Sequence, residues 1–271
     1  MALSTALGFR RQGFFIPYRH ADDLPSAGKR AAYDSLEAIF ASRRASFSEV
    51  LGSLTSLSGD LLAIGRDNPP EPRWDQVWFP GLDGAVAYAM TRWMTPKRII
   101  EVGSGHSTRF FARAVRDGKL KTQITAIDPA PRATIETLPI SIQKKLVHGI
   151  PLAEFDSLED GDFLFIDSSH ILMPGSDVDH LFNRVLPRLA SGVFVHIHDI
   201  FLPDDYPADW DWRGYNEQLG VSTLIQGGGY EIVFASHYVA TRLKDEVAGS
   251  VAGKLPGRDK APESSLWLRK L

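Results

Sequence analysis

The chain has no cysteine in its 271 residues, which excludes disulfides and thiolate chemistry. It has no run of about 18 apolar residues, so no helix long enough to cross a membrane is expected. The first fifteen residues, MALSTALGFRRQGFF, lack the basic-then-apolar layout of an export signal, and a cytoplasmic location is the expectation. Basic residues are not in excess: a formal net charge of -3 gives no long-range attraction to nucleic acid. What is abundant is apolar residue, 44% of the chain. That is enough for one large α/β domain with an extension.

The stretch Arg98 to Asp128, RIIEVGSGHSTRFFARAVRDGKLKTQITAID, organises the rest. It reads as a strand, a glycine loop, a helix and a second strand ending in an acid, the plan of a nucleotide-type ligand site. Gly103 and Gly105 allow a sharp turn and close approach of a ligand, and Ser107 or Thr108 is placed to cap the helix. Asp128 is placed to accept hydrogen bonds from a ribose. A dinucleotide fingerprint G-x-G-x-x-G needs a glycine where Thr108 stands, so the fit to NAD is incomplete.

The run E-V-G-S-G-H-S followed by I-D-P resembles motifs I and II of the class I S-adenosylmethionine (SAM) dependent methyltransferases, with Ser107 in the last glycine position. The resemblance implies an α/β, Rossmann-like methyltransferase fold: a mostly parallel, doubly wound sheet with an antiparallel edge hairpin. It also implies SAM held by Glu101, Gly103, Ser104, Gly105, Asp128, Pro129 and Asp167.

Around this unit, residues 1–75 read as an N-terminal extension. The segment GFFIPYRHADDLP is interrupted by Pro17 and Pro25, and Tyr18, Arg19 and His20 there either line a substrate pocket or belong to a surface tail. From Leu36 to Ile64 apolar residues recur at helical spacing, giving a helical cap that the proline-rich 68–73 closes off. Residues 76–245 form the methyltransferase domain in this division, and 246–271 a weakly ordered C-terminal tail. Within the domain, Trp78 and Phe79 either close over the cofactor, as a helix in this position does in the methyltransferases, or pack in the core. Leu146 and Val147 suggest a brief third strand, and Val178 to Leu189 a helix. Ser222 to Leu224 and Tyr230 to Phe234, separated by glycines 227–229, suggest the edge hairpin.

Two further apolar runs end in ionisable residues: DFLFIDSSH, ending Asp167 to His170, and GVFVHIHD, ending His196 to Asp199. Ligands bind at the carboxyl ends of strands in doubly wound sheets. Alternation puts His196 and His198 on one side of their strand, with Asp199 at its end beside Asp167. Acids and imidazoles converging there suit a divalent cation or a general base.

The I-D-x-x-H and H-D-I-F-L-P patterns resemble the small O-methyltransferases of catechol and antibiotic-sugar type. That resemblance implies a metal held by Asp167, His198 and Asp199, with Asp167, His170 and His198 as catalytic candidates, and with a histidine base as the alternative to the metal. Asp204 and Asp205, in the acidic, aromatic segment that follows, either extend the metal shell or are solvated. The expected activity is methyl transfer from SAM, to oxygen on a small-molecule acceptor, in a chain that forms a homo-oligomer or acts alone. The rival readings are a non-catalytic SAM-binding scaffold and an NAD-dependent dehydrogenase or epimerase, the latter disfavoured by Thr108 and by the lack of a Tyr-x-x-x-Lys arrangement.

Overall fold

In the computed structural model all residues are described except 1, 11, 15, 66, 67, 132, 133 and 257–260. Short apolar runs form the strands: β1 (Arg98–Val102), β2 (Gln123–Ile127), β3 (Ser141–Gln143), β4 (Phe163–Ile166), β5 (Phe194–Ile197), β6 (Tyr230–Ala235) and β7 (Leu266–Lys270). Among the described residues they make one seven-stranded sheet in the order β3-β2-β1-β4-β5-β7-β6. β1 to β5 are mutually parallel, and β7 runs antiparallel to both β5 and β6. This is the Rossmann-like methyltransferase fold that the motifs implied. Every residue of β4 and β5 is buried, because helices cover both faces of the sheet, and apart from His196 their sequences are accordingly apolar. The chain winds from β1 outward to β2 and β3, then returns to β4 on β1's other side. That reversal opens a crevice at the carboxyl ends of β1 and β4.

Three elements differ from the sequence-based expectation. β3 is Ser141–Gln143, whereas Leu146 is exposed and Val147 begins a short 3-10 turn. Ser222 to Leu224 lie inside the helix Glu217–Gln226. Gln218, Val221 and Ile225 recur there at helical spacing and are buried, and the glycines that follow stop the helix, with Gly228 at φ 72°. The antiparallel partner of β6 is therefore β7, which the sequence suggested to be part of a weakly ordered tail. Leu266, Trp267 and Leu268 are buried, and Trp267 meets Phe163 edge-on at 5.3 Å.

β7 is anchored by a reciprocal exchange of carboxylates with the helix Gly81–Met94. Glu263 accepts the N–H groups of Leu82 (2.9 Å) and Asp83 (3.0 Å), two donors of the helix's first turn that have no partner within the helix. The Asp83 carboxylate in turn accepts from the backbones of Ser264 and Ser265, each at 3.0 Å.

The N-terminal helices Asp34–Ser42, Arg44–Ser53 and Ser58–Ala63 pack onto the β6 side of the sheet. Phe40 and Phe47 are fully buried against Tyr238, and Phe47 also against Phe234. Residues 30–33 reach the crevice end: Tyr33 N–H donates to the Pro203 carbonyl (3.0 Å), and Arg30 pairs with Asp205 (2.6 Å). Tyr18, Arg19 and His20 are exposed. The expected helix 178–189 is an irregular helical run in three pieces, from Asp177 to Arg188, that ends around Pro187. Among the described residues no helix is long and apolar enough to cross a membrane.

Candidate functional site

The glycine loop follows β1 and is built from below by a buried acid. Glu101 has no exposed surface, and its two oxygens accept from the hydroxyls of Ser107 and Thr108, each at 2.5 Å. Thr108 Oγ1 in turn accepts the Gly105 N–H (2.9 Å). Ser107 and Thr108 therefore tie the loop to β1. The helix starts one residue earlier, at His106, with Gly105 as its N-cap, so neither hydroxyl residue is the cap suggested by the sequence. The serine in the last glycine position has its own task, since its hydroxyl donates to Glu101. Burial pushes the Glu101 carboxyl up to about 8, against the pull of the two hydroxyls and helped by the charges of Asp167 and Asp128.

Gly103 sits at φ 83°, and a Cβ there would lie 1.8 Å from the Asp167 carbonyl oxygen; no other residue fits. A Cβ on Gly105 would meet no protein atom within 4 Å and would project into the crevice. Asp128 faces the same loop: Oδ2 accepts from Ser104 N–H and Oγ, both at 2.9 Å, and Oδ1 accepts from Ala130 N–H at 2.8 Å. A carboxylate offers about four lone-pair positions, so one remains for a ligand beyond the loop. Pro129 follows directly, in the turn that those bonds fix.

Trp78 and Phe79 divide their roles. Phe79 is buried against Phe110, Phe165 and His198. Trp78 is 60% exposed and stacks on His106 at 5.2 Å beside the loop. Burial, with Arg109 and Arg73 nearby, holds the His106 imidazole down at about 4.

At the tips of β4 and β5 the structure brings Asp167, His170, His198 and Asp199 together, as their positions at strand ends suggested. The centre of the group is His170. Its Nδ1 is 2.8 Å from Glu217 Oε2, and its Nε2 is 3.3 Å from Asp167 Oδ1 and 3.5 Å from Asp199 Oδ2. Burial alone would strip its charge. The hydrogen bonds to Asp167 and Glu217 and the charges of Glu217 and Asp199 prevail, and its pKa lies well above the usual value. Burial raises the Glu217 carboxyl, against the His170 hydrogen bond and charge. The proton shared by the pair stays on the imidazole, since two more carboxylates face the other nitrogen. His170 and Asp199 both adopt left-handed backbone, φ 60° and 56°. Such strain in non-glycine residues concentrates at functional sites.

His198 is less available. Its Nε2 donates to the Trp78 carbonyl at 2.9 Å, so that nitrogen is neither a free base nor a metal donor. His196, fully buried, stacks on Phe165 at 3.8 Å and reaches Ser265 Oγ at 2.7 Å, a core histidine on the same side of β5 as His198. Asp199 is also held, accepting from Ser264 Oγ at 3.2 Å. Asp167 is the open member, its side chain 38% exposed against 12% for Asp199.

The group does not fit a divalent cation. Its bridging position between Asp167 and Asp199 is taken by the His170 ring, and the expected imidazole donor has its Nε2 turned to a carbonyl, leaving only a buried Nδ1 without a partner. Among the described residues no cluster of three or more His, Cys, Asp or Glu is arranged to hold a metal ion. Asp204 and Asp205 do not extend such a shell either: Asp204 is forked onto Arg242 and bonded to His237, and Asp205 pairs with Arg30.

Sequence reasoning did not single out Glu217 or Ser264. Glu217 lies at the end of the acidic, aromatic segment after β5, where no helix was expected, and Ser264 lies in what looked like tail. Both signals are visible only once β7 and the Glu217–Gln226 helix are placed.

Residues 100–200 match the family described as a methyltransferase domain, in keeping with the motifs around Gly103 and Asp128. A search of curated sequences finds no match. Among solved structures, the chain is similar to an S-adenosylhomocysteine (SAH) bound methyltransferase of Podospora anserina, with 17% identity, TM-score 0.44, and coverage of 90% of this chain and 99% of that one. It is also similar to an SAH-bound O-methyltransferase of Bacillus cereus, with 12% identity, TM-score 0.43, and coverage of 82% and 91%. A third is the SAM-bound O-methyltransferase of tomaymycin synthesis from Streptomyces achromogenes, with 16% identity, TM-score 0.40, and coverage of 69% and 78%.

Proposed function

We propose that this chain, which carries a methyltransferase domain over residues 100–200, transfers the methyl group of SAM to a hydroxyl oxygen of a small molecule. The observation that carries this reading is the place of Asp167. Its backbone abuts Gly103 of the loop, while its exposed carboxylate stands beside the His170 group. One residue thus joins the cofactor end of the crevice to the acceptor end.

The residues present fit SAM. The open side of Gly105 leaves room for its methionine part, and the remaining lone pair of Asp128 is placed for a ribose hydroxyl. When bound, SAM supplies an electrophilic methyl on a sulfonium. The chain's part is to position and to take up a proton. Asp167 would accept the hydrogen bond of the acceptor hydroxyl, hold it at the cofactor end of the crevice, and take up its proton when the methyl group that SAM would supply is transferred.

Tryptophan-fluorescence titrations with SAM and with NAD, followed by a methyl-transfer screen of phenolic, sugar and peptide acceptors, test the reading. SAM is expected to quench and NAD not to. Quenching by NAD alone would make the protein a dehydrogenase or epimerase, and SAM binding without turnover on any acceptor would make it a scaffold.

A further inference from the structure

We propose that the His170 ring is a built-in cation standing where a divalent ion would bridge Asp167 and Asp199, so that the chain holds its acidic cluster together without a metal. The inference deepens the reading above and rests on it only for the location of the acceptor. Its basis is geometric. Both ring nitrogens face carboxylate oxygens, Nδ1 toward Glu217 at 2.8 Å and Nε2 toward Asp167 and Asp199 at 3.3 and 3.5 Å. Nδ1 lies within hydrogen-bond distance of Glu217 and Nε2 faces two further carboxylates, surroundings in which an imidazolium, with an N–H on each nitrogen, is the favoured form of the ring.

The ring is fixed in that position from several sides. The His170 carbonyl accepts the N–H groups of Asn216 (3.1 Å) and Glu217 (3.2 Å), so the backbone that presents the ring also starts the helix that presents its acid. Tyr215 covers one side with ring centroids 4.6 Å apart. The left-handed backbone of His170 aims the side chain back between the strand tips instead of outward. His170 is therefore a positioning residue: it keeps the Asp167 carboxylate charged and oriented toward the crevice, as a metal does for its ligands.

The test uses the full chain stripped by chelator, with Mn²⁺ as the probe. Calorimetry and electron paramagnetic resonance are expected to show no specific Mn²⁺ site in the parent protein. His170→Ala leaves three carboxylates facing one another, the kind of all-oxygen set that hard cations take. It is expected to bind one Mn²⁺ at least about tenfold more tightly than the parent and to gain at least about 3 °C in melting temperature on adding it. His170→Gln, which keeps much of the volume but no charge, should fall between the two. If His170→Ala folds only with Mn²⁺ present, that recovery supports the proposal equally. One Mn²⁺ bound at micromolar concentration by the parent and lost in Asp167→Ala would overturn it. So would folded His170→Ala and His170→Gln proteins that neither bind Mn²⁺ nor respond to it. SAM titrations on the same samples separate the two readings: loss of SAM binding by the parent sinks the methyltransferase assignment and leaves the Mn²⁺ result standing.

Discussion

Glu101 is a carboxyl that keeps its proton at neutral pH, because burial raises it to about 8 from an ordinary 4.5. Between those values the folded chain holds a proton that the unfolded chain has released. The stability from this group is complete below about pH 4.5 and is lost as pH rises through 8, by up to about 1.4 kcal/mol per unit. Thermal melts from pH 6 to 9 should show a falling melting temperature in the parent and a shallower fall in Glu101→Gln. Equal slopes would mean that the acid is not titrating in the fold. Asp128 offers a cleaner readout of ligand binding. Its bonds to Ser104 and Ala130 fix it in place, and one charge-assisted bond to a ribose hydroxyl contributes about 1.5–3 kcal/mol. Asp128→Ala should weaken SAM binding at least about tenfold; an unchanged calorimetric affinity would remove the residue from the site. Asp167→Asn tests the proton acceptor. Loss of a positioned base lowers the rate by about 10²–10⁴-fold, and kcat should fall that far while SAM affinity stays within a few-fold.

The elements around the site were legible to different degrees, for reasons that lie in where their partners sit in sequence. β1, its glycine loop, β2 and the acid at 128 are close together, and local spacing carries them. β4 and β5 were readable because strands buried on both faces become mostly apolar runs, interrupted here only at His196. β7 was not: its five residues, LWLRK, sit in polar chain, and nothing local says that a slot between β5 and β6 waits for them. The glycines at 227–229 suit a hairpin as well as a helix stop, and only the buried face of Gln218, Val221 and Ile225 decides it. His170 was legible as a site residue, but its role depends on Glu217, supplied by a helix 47 residues later. The exchange between Asp83 and Glu263 is likewise invisible in sequence and testable in the protein. Glu263→Ala leaves two helix-end N–H groups buried without an acceptor, at a cost of about 1–3 kcal/mol each. A loss of several degrees in melting temperature is expected, and a melt within a degree of the parent would show the latch to be dispensable.

For the whole molecule, the N-terminal helices behave as part of the core layer and not only as a cover for the crevice. Phe40, Phe47, Leu51, Leu54 and Leu61 are buried with the rest of the core. A chain beginning near Trp74 should therefore fail to fold cooperatively by circular dichroism and calorimetry. One beginning near Lys29 keeps those residues and the Arg30–Asp205 pair, and should melt as the parent does. Cooperative melting of the shorter chain would return residues 34–64 to the status of a detachable cap. The insertion of β7 between two strands made before it has a further consequence, in time rather than in space. During synthesis β5 and β6 emerge first, and at about 5–20 residues per second their shared neighbour follows only after a few seconds. Until then both strands expose an unpaired edge, and Asp199 lacks the Ser264 hydroxyl that steadies it. The sheet therefore exists in two pieces, and the site lacks part of its support, until β7 has been translated.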